Sequence, residues 1–317
     1  MTRSAVVGTS RGSGWARPVE LGPVGLTAGL AVLAATRSGS HGPDPISVLT
    51  DATRVVGYTG ITLFIGTLAF WLLVWPSGRR DRGLIGVAWL GLTLTAISGL
   101  AGLASALAAA DVGADVGAML DRPATPLLAR VLLSAAAIPW LVRYTGGRAT
   151  SNAPGVVMML ALALTVVTAR PGPLPVPTVA LTELHVLAAA GWVGGLAALA
   201  VAVVPRRDPM VLNATLGGFS WLSMACVATL AATGTLHALL HAGGVRPLIG
   251  SDYGAALLAK LLAIAGMLAV ATGSHTYVHR LRSRSAPVQV IGLFIGAELA
   301  LGAVTIVLTA TLASAPL

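Results

Sequence analysis

Residues 179–204 read VALTELHVLAAAGWVGGLAALAVAVV, an apolar run whose only ionisable side chains are Glu183 and His185. A helix needs about 20 such residues to cross the hydrocarbon of a bilayer, and a helix apolar on every face has no side to offer water. The run stops at Pro205, with Arg206 and Arg207 immediately after it, as at a cytoplasmic membrane boundary. Comparable apolar runs occupy 19–36, 55–75, 84–110, 124–143, 154–170, 213–241, 253–278 and 289–315. The chain therefore reads as an all-α, polytopic helical membrane protein of about nine transmembrane helices.

Composition points the same way. Of 317 residues, 56% are hydrophobic and only 10% charged, with a mean hydropathy of +0.85. A soluble chain averages about 25% charged residues, so this one lacks the charge to cover a water-facing surface. The net charge of +9 comes from 20 basic residues, all but Lys260 being Arg, mostly in short connectors between apolar runs. That placement is a topology signal and argues against nucleic acid as a partner. With the N-terminus cytoplasmic, thirteen Arg fall inside and five outside, and the C-terminus is extracytoplasmic. Cys226 is the single cysteine and lies within an apolar run, so no disulfide forms within the chain.

Three regions follow. Residues 1–50 form an N-terminal segment with a first transmembrane helix or signal anchor; 51–172 and 173–317 each hold four spans. These two four-helix modules read as a parallel duplication. Leu127-Leu128-Ala129-Arg130 matches Leu257-Leu258-Ala259-Lys260, and Ser98-Gly99 matches Thr233-Gly234. Gly66, ten residues before Pro76, matches Gly195, ten before Pro205. The first module reads as scaffold, because its helices carry no His, while the second holds His185, His237, His241, His275 and His279.

The second module also concentrates the polar chemistry. On the span 213–241, Ser223, Cys226, Thr233, His237 and His241 fall within about 80° of arc at 100° per residue. His237 and His241 are at i, i+4, a spacing that lets two imidazoles reach one ion. His185 and Trp192 share a face of the neighbouring span, and Glu183 points elsewhere. Tyr253, Lys260 and Met267 share a face of the next span, which ends with a second pair, His275 and His279, at the cytoplasmic boundary. Lys260 and Glu298 are charges within the membrane, each costing about 2.5–3.5 kcal/mol if left facing lipid, so both should face inward. Lys260 matches Glu183 in depth. The rows Gly191/Gly195 and Ala190/Gly194/Ala198 read as surfaces for close helix approach. His185, His237, His241 and Cys226 form the candidate metal-ligand set, with His275 and His279 a possible inner site.

This pattern resembles the copper-resistance D (CopD) family of bacterial inner-membrane proteins. The matching elements are Leu184-His185, Gly191-Trp192-Val193-Gly194-Gly195, Phe219-Ser220, Thr233-Gly234, Asp252-Tyr253-Gly254 with Leu257-Leu258-Ala259-Lys260, and Glu298 before Leu308-Thr309-Ala310. The resemblance implies translocation of copper ions across the bacterial plasma membrane. It makes His185, Trp192, Tyr253, Lys260 and Glu298 family-type positions. The partners it implies are the lipid bilayer and an extracytoplasmic copper-binding protein or a membrane oxidase complex. No covalent chemistry and no ATPase motif is implied, so the chain does not read as an enzyme. Two other readings stay open: a b-type haem protein with axial His from facing helices, and an accessory or assembly subunit of a copper-containing membrane complex.

Overall fold

The computed structural model describes residues 45–109, 124–148, 151–169, 175–206, 208–241, 252–281 and 288–312. They form helices α1 (Pro45–Ala69), α2 (Arg82–Ala109), α3 (Ala124–Thr145), α4 (Ala153–Thr168), α5 (Val176–Ala198), α6 (Pro209–His241), α7 (Asp252–Leu281) and α8 (Val288–Leu312). No strand occurs among the described residues. The all-α, multi-pass membrane architecture stands.

Six helical segments are long and apolar enough to cross a membrane, those of α1, α2, α3, α5, α6 and α8. The apolar stretches of α4 and α7, Ala153–Thr168 and Leu258–Gly273, are shorter. A helix of 16 residues such as α4 rises about 24 Å, less than the roughly 30 Å of hydrocarbon. The span expected at 19–36 lies outside the described residues.

α1 and α5 lie side by side at the centre, and glycine sets how close they come. A Cβ on Gly194 would stand 2.0 Å from the Thr62 carbonyl oxygen, and one on Gly66 2.3 Å from the Gly194 backbone. Ala190 and Ala198, on the same row as Gly194, are buried. The second row turns to α6: Gly195 faces Phe219 and Leu222, and Gly191 faces the Cys226 thiol. Two rows of small residues thus give α5 two close neighbours, as the sequence pattern required.

Both central helices end alike. α1 continues into a π-turn at Phe70–Val74 and then a 3₁₀ turn at Pro76–Arg80. α5 continues into a π-turn at Leu199–Val203 and a 3₁₀ turn at Val204–Arg206. At this end Asp81 caps α2 by accepting the Leu84 N–H at 2.9 Å. Its other carboxylate oxygen pairs with Arg206, whose guanidinium lies over the Trp75 ring. One buried carboxylate therefore fastens the ends of α1, α2 and α5 together.

Candidate functional site

The site is built where the beginning of α5 meets the end of α6. Thr182 and His185 are three residues apart, Thr233 and His237 four apart, so each pair shares a helix face. The antiparallel packing crosses the pairs. His185 Nδ1 lies 2.8 Å from Thr233 Oγ1, and His237 Nε2 lies 3.2 Å from Thr182 Oγ1. The two imidazole centroids are 6.1 Å apart, with ring planes at 87°. His185 sits beside Gly234, where its Cε1 would be 3.8 Å from a Cβ. Thr182 and Thr233 are buried, and both histidines are half-buried.

The hydroxyls decide the tautomers. Thr182 Oγ1 donates its one proton to the Thr178 carbonyl at 2.7 Å, and Thr233 Oγ1 donates to Thr229 at 2.7 Å. Each threonine can then only accept from its histidine. This assigns His185 as the Nδ1–H tautomer and His237 as the Nε2–H tautomer. In the neutral rings the other nitrogens, His185 Nε2 and His237 Nδ1, carry the lone pairs, and both histidines make further interactions. An imidazole nitrogen binds a metal at about 2.0–2.1 Å, so two rings on one ion have centres at most about 6.4 Å apart. The observed 6.1 Å is inside that limit.

The remaining predicted residues take other places. Cys226 is buried, its Sγ 3.2 Å from where a Cβ on Gly191 would stand. Seven residues separate it from Thr233, about 10 Å along the helix axis, so the thiol occupies a deeper level than the imidazoles. Trp192 is buried in the core around α1 and α5. Met267 is buried beside Gly302 of α8, one turn from the buried Glu298. Lys260 is half-buried on α7, and both Lys260 and Glu298 are engaged by polar or electrostatic interactions. No ion pair joins Glu183 to Lys260 among the described residues. The side chains of His241, Tyr253, His275 and His279 lie outside the described residues. No cluster of three or more His, Cys, Asp and Glu forms among the described residues.

Thr182 is the member of this arrangement that the sequence reading passed over. Its signal was present: it stands three residues before His185, on the same face. Such a threonine bonds its own helix as a rule, and only the neighbouring helix shows that it serves His237 as well.

Residues 213–312 match the family model described as copper resistance protein D, CopD. The match covers nearly all of α6, then α7 and α8, and begins 28 residues beyond His185 (213 − 185). No curated protein and no solved structure matches the chain.

Proposed function

We propose, from a C-terminal third of CopD type, that this membrane protein handles copper and passes the ion through its second four-helix module. The observation that carries the reading is the crossed His185–Thr233 and His237–Thr182 arrangement. It holds two imidazoles in defined tautomers at a separation one ion can bridge. Neutral imidazole and thiolate donors suit Cu(I), and a ligand nitrogen already stripped of its proton need not release one when the ion arrives.

In this reading the arginine distribution sets the orientation, with the N-terminus cytoplasmic and the imidazole pair toward the extracytoplasmic end. The ion enters at His185 and His237, with His241 above them, and moves inward toward the Cys226 level. Glu298 and Lys260 set the local charge. Tyr253 and Trp192 are family-type positions around the path, and Glu183 lies at its entrance. His275 and His279 form a possible exit on the cytoplasmic side. The two modules arose by parallel duplication. The paired π- and 3₁₀ turns support this, since Phe70 and Leu199 lie 129 residues apart, the offset that also relates Pro76 to Pro205.

The test is Cu(I) titration of the purified protein against a chromophoric chelator. Wild type should hold one tight equivalent, and His185→Ala and His237→Ala should each lose it. Cells lacking the protein should also differ from wild type in copper accumulation. Equal retention in all three proteins overturns the site. A Soret band in wild type that disappears in His185→Ala would assign the pair to haem instead.

A further inference from the structure

One corner of the first module gathers arginine without acid. The 3₁₀ turn Pro76–Arg80 ends with Arg79 and Arg80. α3 ends with Arg143, and the connection to α4 carries Arg148. That connection is closed by backbone bonds, from Gly146 N–H to the Val142 carbonyl at 3.0 Å and from Arg148 N–H to the Arg143 carbonyl at 2.8 Å. Gly147 takes φ +72° within it, a backbone conformation that favours glycine. The same glycine makes room for its neighbour: the Arg80 guanidinium lies against it, Cζ 3.3 Å and Nε 3.4 Å from where a Cβ would stand. Arg79 is near enough to act electrostatically on the Tyr144 hydroxyl. The two turns therefore bring four arginines into one neighbourhood.

Their charge is not met within the described chain. The ion pairs among the described residues are Asp51–Arg54 and Asp81–Arg206, and neither includes one of the four. Asp81, next to Arg80 in sequence, is engaged by the α2 N-terminus and by Arg206. Arg80, Arg143 and Arg148 are exposed, and Arg79 is half-buried. The level of the corner in the membrane decides what faces it. Next to the arginines lies an aromatic layer in which Trp71 tilts on Tyr144 at 5.6 Å and Tyr144 stacks on Trp140 at 4.9 Å. Tyrosine and tryptophan collect where hydrocarbon gives way to headgroups. Ile138 and Val142, one turn apart on α3, are exposed on the membrane side. Apolar surface, aromatic rings and unpaired cations thus follow one another in the order of acyl chain, ester region and phosphate in a phospholipid.

We infer that this corner binds the headgroup phosphate of an acidic phospholipid, through Arg80, Arg143 and Arg148, with Arg79 adding its charge. Guanidinium groups suit the partner, because each offers paired N–H donors to the oxygens of a phosphodiester. An acidic headgroup is favoured over a zwitterionic one, since choline would bring a further positive charge to a place that already holds four. The site does not depend on the copper reading, and its failure would leave that reading intact.

The experiment uses the full-length protein in detergent with phosphatidylcholine, its melting temperature followed as phosphatidylglycerol is added. Wild type should be stabilised in a saturable manner, and an equal addition of phosphatidylcholine should have no effect. Arg143→Gln with Arg148→Gln, both at exposed positions, should keep the helical circular dichroism and need about twenty-fivefold more phosphatidylglycerol, about fivefold for each arginine. Arg80→Gln alone should need about fivefold more. Arg280→Gln with Arg282→Gln makes the same change of net charge elsewhere in the chain and should respond like wild type. No phosphatidylglycerol effect in wild type, or an undiminished one in Arg143→Gln with Arg148→Gln and in Arg80→Gln, overturns the proposal. An equal loss in the Arg280 and Arg282 variant would reduce the effect to net charge and overturn the site. Stabilisation by sodium phosphate as great as that by the lipid would put a free anion on the corner and overturn the lipid.

Discussion

Thr233→Val removes one oxygen from the imidazole pair and keeps the side chain's shape. His185 Nδ1–H, held at 2.8 Å from Thr233 Oγ1, then has lost that acceptor, and the Nδ1–H tautomer loses the contact that selected it. A hydrogen bond of this kind between membrane helices contributes about 0.6–1.7 kcal/mol. Groups that orient a metal-ligating histidine typically account for 10- to 100-fold in metal affinity. A Cu(I) dissociation constant raised about tenfold, equal to about 1.4 kcal/mol, is therefore expected. Thr182→Val breaks the longer contact, 3.2 Å to His237, and should cost less. Thr233→Ser keeps the acceptor and should bind like wild type. The assay is competition with a Cu(I) chelator, with circular dichroism to confirm the helical fold of each variant. Wild-type affinity in folded Thr233→Val, or a loss in Thr233→Ser as large as that in Thr233→Val, would refute the reasoning.

Further expectations come from packing and capping. Gly194→Val should prevent α1 and α5 from approaching, because even its Cβ would sit 2.0 Å from the Thr62 carbonyl; a cost above the usual 1–3 kcal/mol of overpacking should appear as lost monodisperse protein in size-exclusion chromatography. Asp81→Ala removes the cap of α2 and the partner of Arg206, and the cap alone is worth about 0.5–2 kcal/mol; a lower melting temperature with unchanged Cu(I) affinity is expected, since the contact lies at the opposite end of α5 from the imidazoles. Cys226→Ser should leave the affinity at the imidazole pair within about twofold of wild type, because the thiol lies about 10 Å deeper, while slowing net transport in vesicles loaded with a copper indicator.

Hydropathy made most of the fold legible, because in lipid every backbone polar group must be satisfied within the helix and the apolar run itself marks the element. The breaks at Pro76 and Pro205 and the two small-residue rows of α5 were equally readable, each being a local property. The site was legible only in part. The stripe on α6 gathered Cys226 with His237 by angle, but angle ignores the axis, and the thiol proved to pack against Gly191, below the imidazoles. Thr182 and the Asp81–Arg206 pair were missed for a related reason. Which short polar group meets which partner depends on the register between helices, and no sequence period encodes that register.

The contrast between modules has an electrostatic consequence for the path of a cation. In the proposed duplication Arg130 corresponds to Lys260, and Ser98, beside the guanidinium, corresponds to Thr233, which positions His185. Both copies therefore keep a cation at this place, Arg130 in the first and Lys260 in the second, and the second adds the imidazole pair. A copper ion brought within about 4 Å of a guanidinium in a medium of effective dielectric about 20 is repelled by about 4 kcal/mol, near a thousandfold in occupancy. In this reading Arg130 repels a cation from the first module, and in the second the lone pairs of the imidazoles offset the same repulsion from Lys260. Removing the charge in Arg130→Gln should not create a copper site in the first module, since no imidazole stands there to replace the ion's hydration. The variant should still bind one Cu(I) through His185 and His237. A second equivalent bound by Arg130→Gln would show that donors other than those two histidines suffice, and the assignment of the path to the second module would fall.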